Sequence, residues 1–173
     1  MEKVLDIFDL SGRVAIVTGA RRGIGFAIAE GLASAGAVSV IADILPETGD
    51  EAAQLIRSKG LKAGSIPADV TRRDSVENLV SQTLKEFGQI DILVNCAGII
   101  LRKPIEQVTD EEWDSIMDVN LRGVFLCSQI AGREMIKRKQ GKIINISSNV
   151  SQVLQPGRGV YAISKAGVSH LTK

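Results

Sequence analysis

The sequence predicts an α/β domain, a parallel sheet doubly wound with helices on both faces. Three observations predict it. Short β-branched runs alternate with longer segments of helical period along all 173 residues, an order that gives parallel strands joined by right-handed crossovers. A glycine-rich turn, TGARRGIG, separates the first run from the first helical segment. The polar and glycine residues that interrupt the pattern then fall just after the runs, at the strand ends where open parallel sheets bind ligands.

The strands are expected in RVAIVT from Arg13, VSVIAD from Val38, KAGSIPAD from Lys62, IDILVN from Ile90 and KIINIS from Lys142. Helices are expected over Gly23 to Ala35, Glu47 to Lys59, Arg72 to Phe87 and Asp110 to Lys139, with a last one from about Tyr161 to Lys173. Punctuation supports these bounds. Gly36, Gly60, Gly88 and Gly141 stand where C-caps belong, and Thr71 and Thr109 stand at N-caps, with Glu112 completing a capping box. As one straight helix, Asp110 to Lys139 would run about 45 Å, too long for one crossing of a sheet. Asn120 and Gly123 are weak helix formers within it, so a kink or altered hydrogen bonding is expected near Asn120.

The length fits one domain, residues 1–173, large enough to bury a core. Lys and Arg number 21 against 20 Asp and Glu, and aromatics make up 3%, which argues against a nucleic-acid surface. The basic cluster from Arg133 to Lys142 reads as the solvated end of a helix, where cations favour the dipole. Glu2, Asp6 and Asp9 break up the N-terminal apolar residues, so no signal peptide is expected there. No apolar run approaches the roughly 20 residues of a membrane span. A cytoplasmic location is therefore expected. Cys96 and Cys127 are isolated and read as reduced thiols, with no metal site expected.

In TGARRGIG, Gly19, Gly23 and Gly25 open a helix directly after a strand, which aims backbone N–H groups and the helix dipole at a pyrophosphate. Asp43 follows Gly25 by 18 residues, at the end of the second run, where a carboxylate accepts from the adenine-ribose hydroxyls. Its charge would repel a 2′-phosphate, which favours NAD over NADP. Arg22 pulls the other way, since a guanidinium in the loop can pair with that phosphate. The carboxylate carries more weight, because it excludes whereas an exposed arginine only attracts.

Together TGARRGIG, NCAG (Asn95 to Gly98), Ser148 and YAISK resemble the short-chain dehydrogenase/reductase family, whose pattern is TGxxxGxG, NNAG, a serine 13 residues before a tyrosine, and YxxxK. Cys96 replaces the second asparagine of NNAG. The resemblance covers essentially the whole chain and implies a Rossmann-type fold that binds a nicotinamide cofactor. It further implies that Tyr161 is the general acid/base, that Lys165 is its cation and a ribose ligand, and that Ser148 stabilises the carbonyl oxygen. Asn120 would hold a water for proton relay. A phenol is a poor base at neutral pH, and a nearby cation favours its ionised form, which explains the pairing. The cofactor contacts implied are Gly19, Arg21, Arg22, Gly23, Ile24 and Gly25 in the loop, then Asp43, Asp69, Val70, Asn95, Ala97, Gly98, Tyr161 and Lys165. His170 reads as a helix-surface residue.

The stretch NCAGIILRKPIEQVTDEEWD resembles that of gluconate 5-dehydrogenases and related sugar-acid dehydrogenases, which implies a sugar acid or polyol as substrate and Arg102 as a partner for its carboxylate. A solvated loop arginine is an equal reading of Arg102. Two alternatives stay open: a 3-oxoacyl-[acyl-carrier-protein] reductase and a non-catalytic dinucleotide-binding fragment. Family members continue past YxxxK through two more strands, so the resemblance implies a domain incomplete at its C-terminus, with five strands present. The expected consequences are an exposed edge on the fifth strand, poor turnover and a tendency to aggregate, with a homo-oligomer, dimer or tetramer, formed by the longer chain.

Overall fold

The structure, a computed structural model, describes residues 7–153 and 155–173. Glu2 and Asp6, on which the reading of the N-terminus partly rests, lie outside the described residues. Strand β1 (Val14–Thr18) is buried throughout because it occupies the middle of a five-stranded sheet. On one side it pairs with β2 (Val38–Asp43), Val14 opposite Val38, and on the other with β4 (Ile92–Asn95), Ile16 opposite Leu93. The edges are β3 (Ala63–Pro67) and β5 (Lys142–Asn145), giving the order β3-β2-β1-β4-β5, all parallel. The chain moves outward from β1 to β3, then restarts at β4 on the other side of β1. At such a reversal the loops after the two central strands diverge and leave a crevice.

Alternate residues of the strands build two cores. Ala15, Val17, Ile41, Ile92 and Val94 cluster with Ala29 and Ala33 of α1 (Gly23–Ser34) and with Ala52, Ala53 and Ile56 of α2 (Pro46–Ser58). Ile16, Val40, Ile66 and Leu93 cluster with Val76, Leu79 and Val80 of α3 (Arg73–Phe87) and with Leu126, Cys127 and Ile130 of α5 (Gly123–Arg138). Burial on both faces is why these strands read as continuous apolar runs. The small residues of α1 bring it close to the sheet, where the buried Ser39 hydroxyl donates to the Ala29 carbonyl at 2.7 Å.

The long segment is interrupted where Asn120 stands. Helix α4 (Asp110–Met117) starts on the capping box of Thr109 and Glu112, and a wide π turn over Asp118–Arg122 joins it to α5. Helix α6 (Gly159–Leu171) packs on that turn and on α4. It begins two residues before the expected Tyr161 and ends two before Lys173.

Several local expectations are corrected. Thr71 does not cap α3; its N–H and hydroxyl both go to Asp69 Oδ1, at 2.9 and 2.7 Å, and Arg72 takes the N-cap position without a side-chain bond. Gly141 does not end α5. Lys139, at φ 54°, adopts the left-handed conformation instead, and Gly141 is needed because a Cβ there would lie 2.4 Å from the Met135 side chain. The third and fifth strands are shorter than their apolar runs, since β3 closes on Pro67 and β5 on Asn145. Ile143 and Ile144 are exposed on β5, at the edge of the sheet.

Arg138 also departs from the solvated reading of the basic cluster. Its guanidinium crosses to the residues just before β4, donating to the Ile90 carbonyl at 3.1 Å and to Asp91 Oδ1 at 3.3 Å. Asp91 is buried, and it accepts as well from the Val14 N–H at 2.9 Å, from Gln89 Nε2 at 2.8 Å and from Arg13 Nη1 at 3.4 Å. One carboxylate thus ties β1, β4 and the end of α5 together, at the amino ends of the strands, opposite the crevice. Removing it strands a buried N–H and two guanidinium groups, so Asp91→Ala is expected to lower unfolding stability by about 3 kcal/mol in urea titration. A change under about 0.5 kcal/mol, the level of an ordinary surface substitution, would show that the network carries no weight.

Candidate functional site

The turn after β1 makes the closest approach in the site. Gly19 has φ +66°, and a Cβ on it would lie 2.7 Å from Ala97 Cα and 2.9 Å from Ala97 N, so only glycine lets the turn touch the loop after β4. Thr18 locks the same contact, because its Oγ1 accepts from the Cys96 and Ala97 N–H groups, each at 3.1 Å. Gly25 is likewise closed, with a Cβ 2.4 Å from the Gly19 carbonyl oxygen. Gly23 is the opposite case. At φ +60° it has nothing within 4 Å of a Cβ, so the start of α1 opens onto free space.

That space adjoins a cleft of about 310 Å³ along the carboxyl ends of the strands, lined by Gly19, Arg21, Arg22, Asp43, Asp69, Val70, Ala97 and Gly98 among others. Asp43 is held from the loop side: Arg21 Nε stands 3.4 Å from its Oδ1, and the Arg21 N–H donates to Oδ2 at 3.3 Å. The arginine that meets Asp43 is therefore Arg21. Arg22 is exposed at the N-cap of α1 and has no charged partner among the described residues. Asp69 turns Oδ1 onto Thr71, and its own N–H donates to the Ser75 hydroxyl at 2.9 Å. Six expected contacts, Gly23, Ile24, Gly25, Asn95, Tyr161 and Lys165, do not line the cleft. Ile24 is exposed on the first turn of α1, and Asn95 is buried, with its Nδ2 donating to Asn145 Oδ1 at 2.7 Å and to Ser128 Oγ at 3.0 Å.

A second group of polar residues meets the cleft at Gly98. A Cβ on Gly98 would lie 3.2 Å from Asn120 Oδ1 and 3.5 Å from Lys165 Nζ. The Asn120 amide is closed onto Ile99: Oδ1 accepts the Ile99 N–H at 2.8 Å, and Nδ2 donates to the Ile99 carbonyl at 2.9 Å and to Ser164 Oγ at 3.1 Å. The π turn displays this side chain inward, completely buried. Lys165 is 4% exposed and donates one bond, to the Ile146 carbonyl at 2.8 Å, with its Nζ 5.9 Å from the centre of the Tyr161 ring. Its other ammonium hydrogens have no acceptor among the described residues. Burial pushes its pKa below the ordinary 10.5, and the Cys96 thiol opposes the shift.

Ser148 and Ser147 are separated by their partners. Ser147 donates to the Lys165 carbonyl at 2.9 Å and pairs with Ser169 at 2.7 Å, so its hydroxyl fixes α6. Ser148 keeps only long local contacts, to the Val150 N–H at 3.4 Å and Asn149 Oδ1 at 3.3 Å. Among the described residues no hydrogen bond joins Ser148 to Tyr161. Arg102 is exposed and without a charged partner among the described residues, while its neighbour Lys103 takes Glu112, with Nζ to Oε2 at 2.8 Å. His170 is exposed in the last turn of α6.

Cys96 lines the cleft with Ile44 and Val119, three residues the motif reading did not assign to it. Cys96 had a signal, its place inside NCAG; Ile44 follows Asp43, and Val119 had none. Burial raises the Cys96 pKa and pushes the buried Cys127 up to about 12, so neither thiol is primed as a nucleophile. No helix of the described residues is long and apolar enough to cross a membrane.

The family model for short chain dehydrogenases matches residues 13–173. Gluconate 5-dehydrogenase of Gluconobacter oxydans is 43% identical over 168 residues, which cover 97% of this chain and 66% of that protein. A 3-oxoacyl-[acyl-carrier-protein] reductase of Staphylococcus aureus is 41% identical over 160 residues, covering 92% and 65%. The crystal structure of a gluconate 5-dehydrogenase from Burkholderia cenocepacia in complex with NADP and tartrate superposes with a TM-score of 0.94 at 42% identity, over 98% of this chain and 67% of that one. The chain thus spans about two thirds of the length of the relatives it matches.

The first two glycines of the loop should separate in thermal unfolding. Gly19→Ala forces a clash with backbone as well as an unfavourable φ and is expected to cost about 3 kcal/mol, whereas Gly23→Ala pays only the conformational cost, about 1 kcal/mol. Equal losses would contradict the close approach at Ala97. Lys165 gives a pH signature. With its folded pKa depressed, the unfolded chain binds the extra proton between that value and 10.5, so its contribution to stability rises with pH across this window. Lys165→Met should flatten the rise in urea unfolding followed from pH 8 to 10.5; an unchanged profile would count against the shift.

Proposed function

The chain belongs to the short-chain dehydrogenase family, and we propose on that premise that it is an oxidoreductase acting on a secondary alcohol or ketone with NAD or NADP, its substrate a sugar acid or polyol. The observation that carries this reading is the Lys165 ammonium, buried beside Tyr161 with donors unspent, next to a glycine-lined cleft. An ammonium is costly to bury unless something accepts its protons. Ribose hydroxyls of a dinucleotide fit that need, and the open space at Gly23 fits its pyrophosphate. A bound nicotinamide would supply the acceptor or donor of hydride at the substrate carbon.

The chain's own part is proton handling and orientation. Tyr161 takes the hydroxyl proton in oxidation and returns it in reduction, with the Lys165 ammonium as the electrostatic partner of its oxygen. Ser148, whose hydroxyl is free of strong local bonds, holds the substrate oxygen as charge develops on it. Asn120, across Gly98 from Lys165, relays protons to the lysine through water. Arg102 meets the carboxylate of a sugar acid, for which it has no competing protein partner among the described residues. In the cleft, Asp43 serves the adenine ribose, Asp69 and Val70 the adenine, and Ala97 and Gly98 the ribose side.

The likeness to gluconate 5-dehydrogenases supports the sugar-acid substrate. The 41% identity to a 3-oxoacyl-[acyl-carrier-protein] reductase supports a second reading, in which the substrate is a β-ketoacyl thioester. A panel of 5-ketogluconate, polyols and an acetoacetyl thioester separates them, run on this chain and on one extended to the length of its relatives. Homo-oligomerisation of the extended chain and a cytoplasmic location complete the proposal.

Tyr161→Phe is expected to lower turnover by about 10³ while nicotinamide nucleotide binding stays within about twofold of the unmodified chain. Lys165→Ala should weaken both, because the ammonium serves nucleotide and phenol alike. Substantial turnover in Tyr161→Phe would remove Tyr161 from the proton-transfer role, and nucleotide binding without turnover in either length would leave a non-catalytic binding domain.

A further inference from the structure

The ion pair at the end of β2 bears on which dinucleotide the cleft takes. A lone carboxylate there accepts ribose hydroxyls and repels a 2′-phosphate. Asp43 is not alone. Its side chain is 8% exposed, and both of its oxygens face Arg21, Oδ1 toward Nε at 3.4 Å and Oδ2 toward the backbone N–H at 3.3 Å.

The geometry of the pair leaves the arginine half used. Nε lies on one edge of the guanidinium, and the two terminal nitrogens have no acceptor among the described residues, although Arg21 is 25% exposed and lines the cleft. A guanidinium offers five donors in a fixed fork, so it can hold a carboxylate along the Nε edge and a phosphate at its far end together. The charged residues that line the cleft are Arg21, Arg22, Asp43 and Asp69, and they balance. No net negative field faces the ribose.

We infer that Arg21 makes the cleft accept both dinucleotides, with Asp43 taking the ribose hydroxyls of NAD and the terminal nitrogens of Arg21 taking the 2′-phosphate of NADP. The inference rests on the nicotinamide reading above. It also moves the phosphate contact from Arg22 to Arg21. Arg22 lines the same cleft but is exposed and held by nothing among the described residues, so its ordering on a phosphate costs more side-chain entropy than that of an arginine already fixed on Asp43.

The test is titration of the chain with NADH and NADPH, followed by nucleotide fluorescence, for the unmodified chain and for Arg21→Ala, Arg21→Lys and Arg22→Ala, with thermal unfolding to confirm that each variant is folded. The unmodified chain is expected to bind the two nucleotides within about tenfold of one another. Arg21→Ala should weaken NADPH at least about tenfold more than NADH, since it removes the fork and leaves Asp43 unpaired toward the phosphate. Arg21→Lys should recover part of that loss, and Arg22→Ala should cost less than Arg21→Ala. Tight NADH binding with NADPH excluded, or a larger selective loss in Arg22→Ala, overturns the role of Arg21 and leaves the nicotinamide reading standing. Binding of neither nucleotide overturns both.

Discussion

The site depends on how closely the chain passes itself at Gly19. A methyl group there would sit 2.7 Å from the Ala97 backbone, and the Thr18 hydroxyl clamps the two N–H groups next to it. This contact joins the loop after β1 to the loop after β4 at the point where the strand order reverses. A wider turn would push the β4 loop outward, and Gly98 would lose its position against Asn120 and Lys165. Cleft and polar cluster are parts of one construction because of that single approach.

The cluster pays for its location with a buried cation. Lys165 is desolvated enough to lower its pKa, yet it donates to one carbonyl. What keeps it inside is the framing of α6. Ser147 binds the Lys165 carbonyl, Ser164 binds Asn120, and Asn145 Nδ2 donates to Thr172 Oγ1 at 3.0 Å. Side chains at the end of β5, in the loop beyond it and in the π turn thus fix the helix from two directions. The ammonium stays 4% exposed beside Gly98 of the cleft, so donors without protein acceptors persist where a ligand can meet them.

The two ends of the sheet divide the polar work. At the amino ends of the strands Asp91 gathers donors from Val14, Gln89, Arg13 and Arg138 and is satisfied by protein alone. At the carboxyl ends Lys165, Ser148, Arg102 and the far side of Arg21 retain unspent capacity. A parallel sheet places every loop after a strand on one rim, so the fold concentrates incomplete polar groups there and leaves the other rim to hold the layers together.

The sequence by itself determined the order of strands and helices, the parallel sheet and the residues gathered on one rim, because strand and helix periods and glycine positions are local properties. It also marked the weak point at Asn120, since helix propensity is local too. Tertiary structure decided what those residues touch. TGARRGIG contains two adjacent arginines, and only the packing of the loop against β2 sets Arg21, rather than Arg22, on Asp43. Asn95 stands in the same motif as Gly98, yet it is spent on Asn145 and Ser128, because strand alternation turns it into the layer beside α5. The bounds at Lys139 and Thr71 were settled by Met135 against Gly141 and by the Asp69 carboxylate. These are contacts between residues whose spacing along the chain carries no mark of their meeting, which is why pattern alone could not rank one arginine above the other.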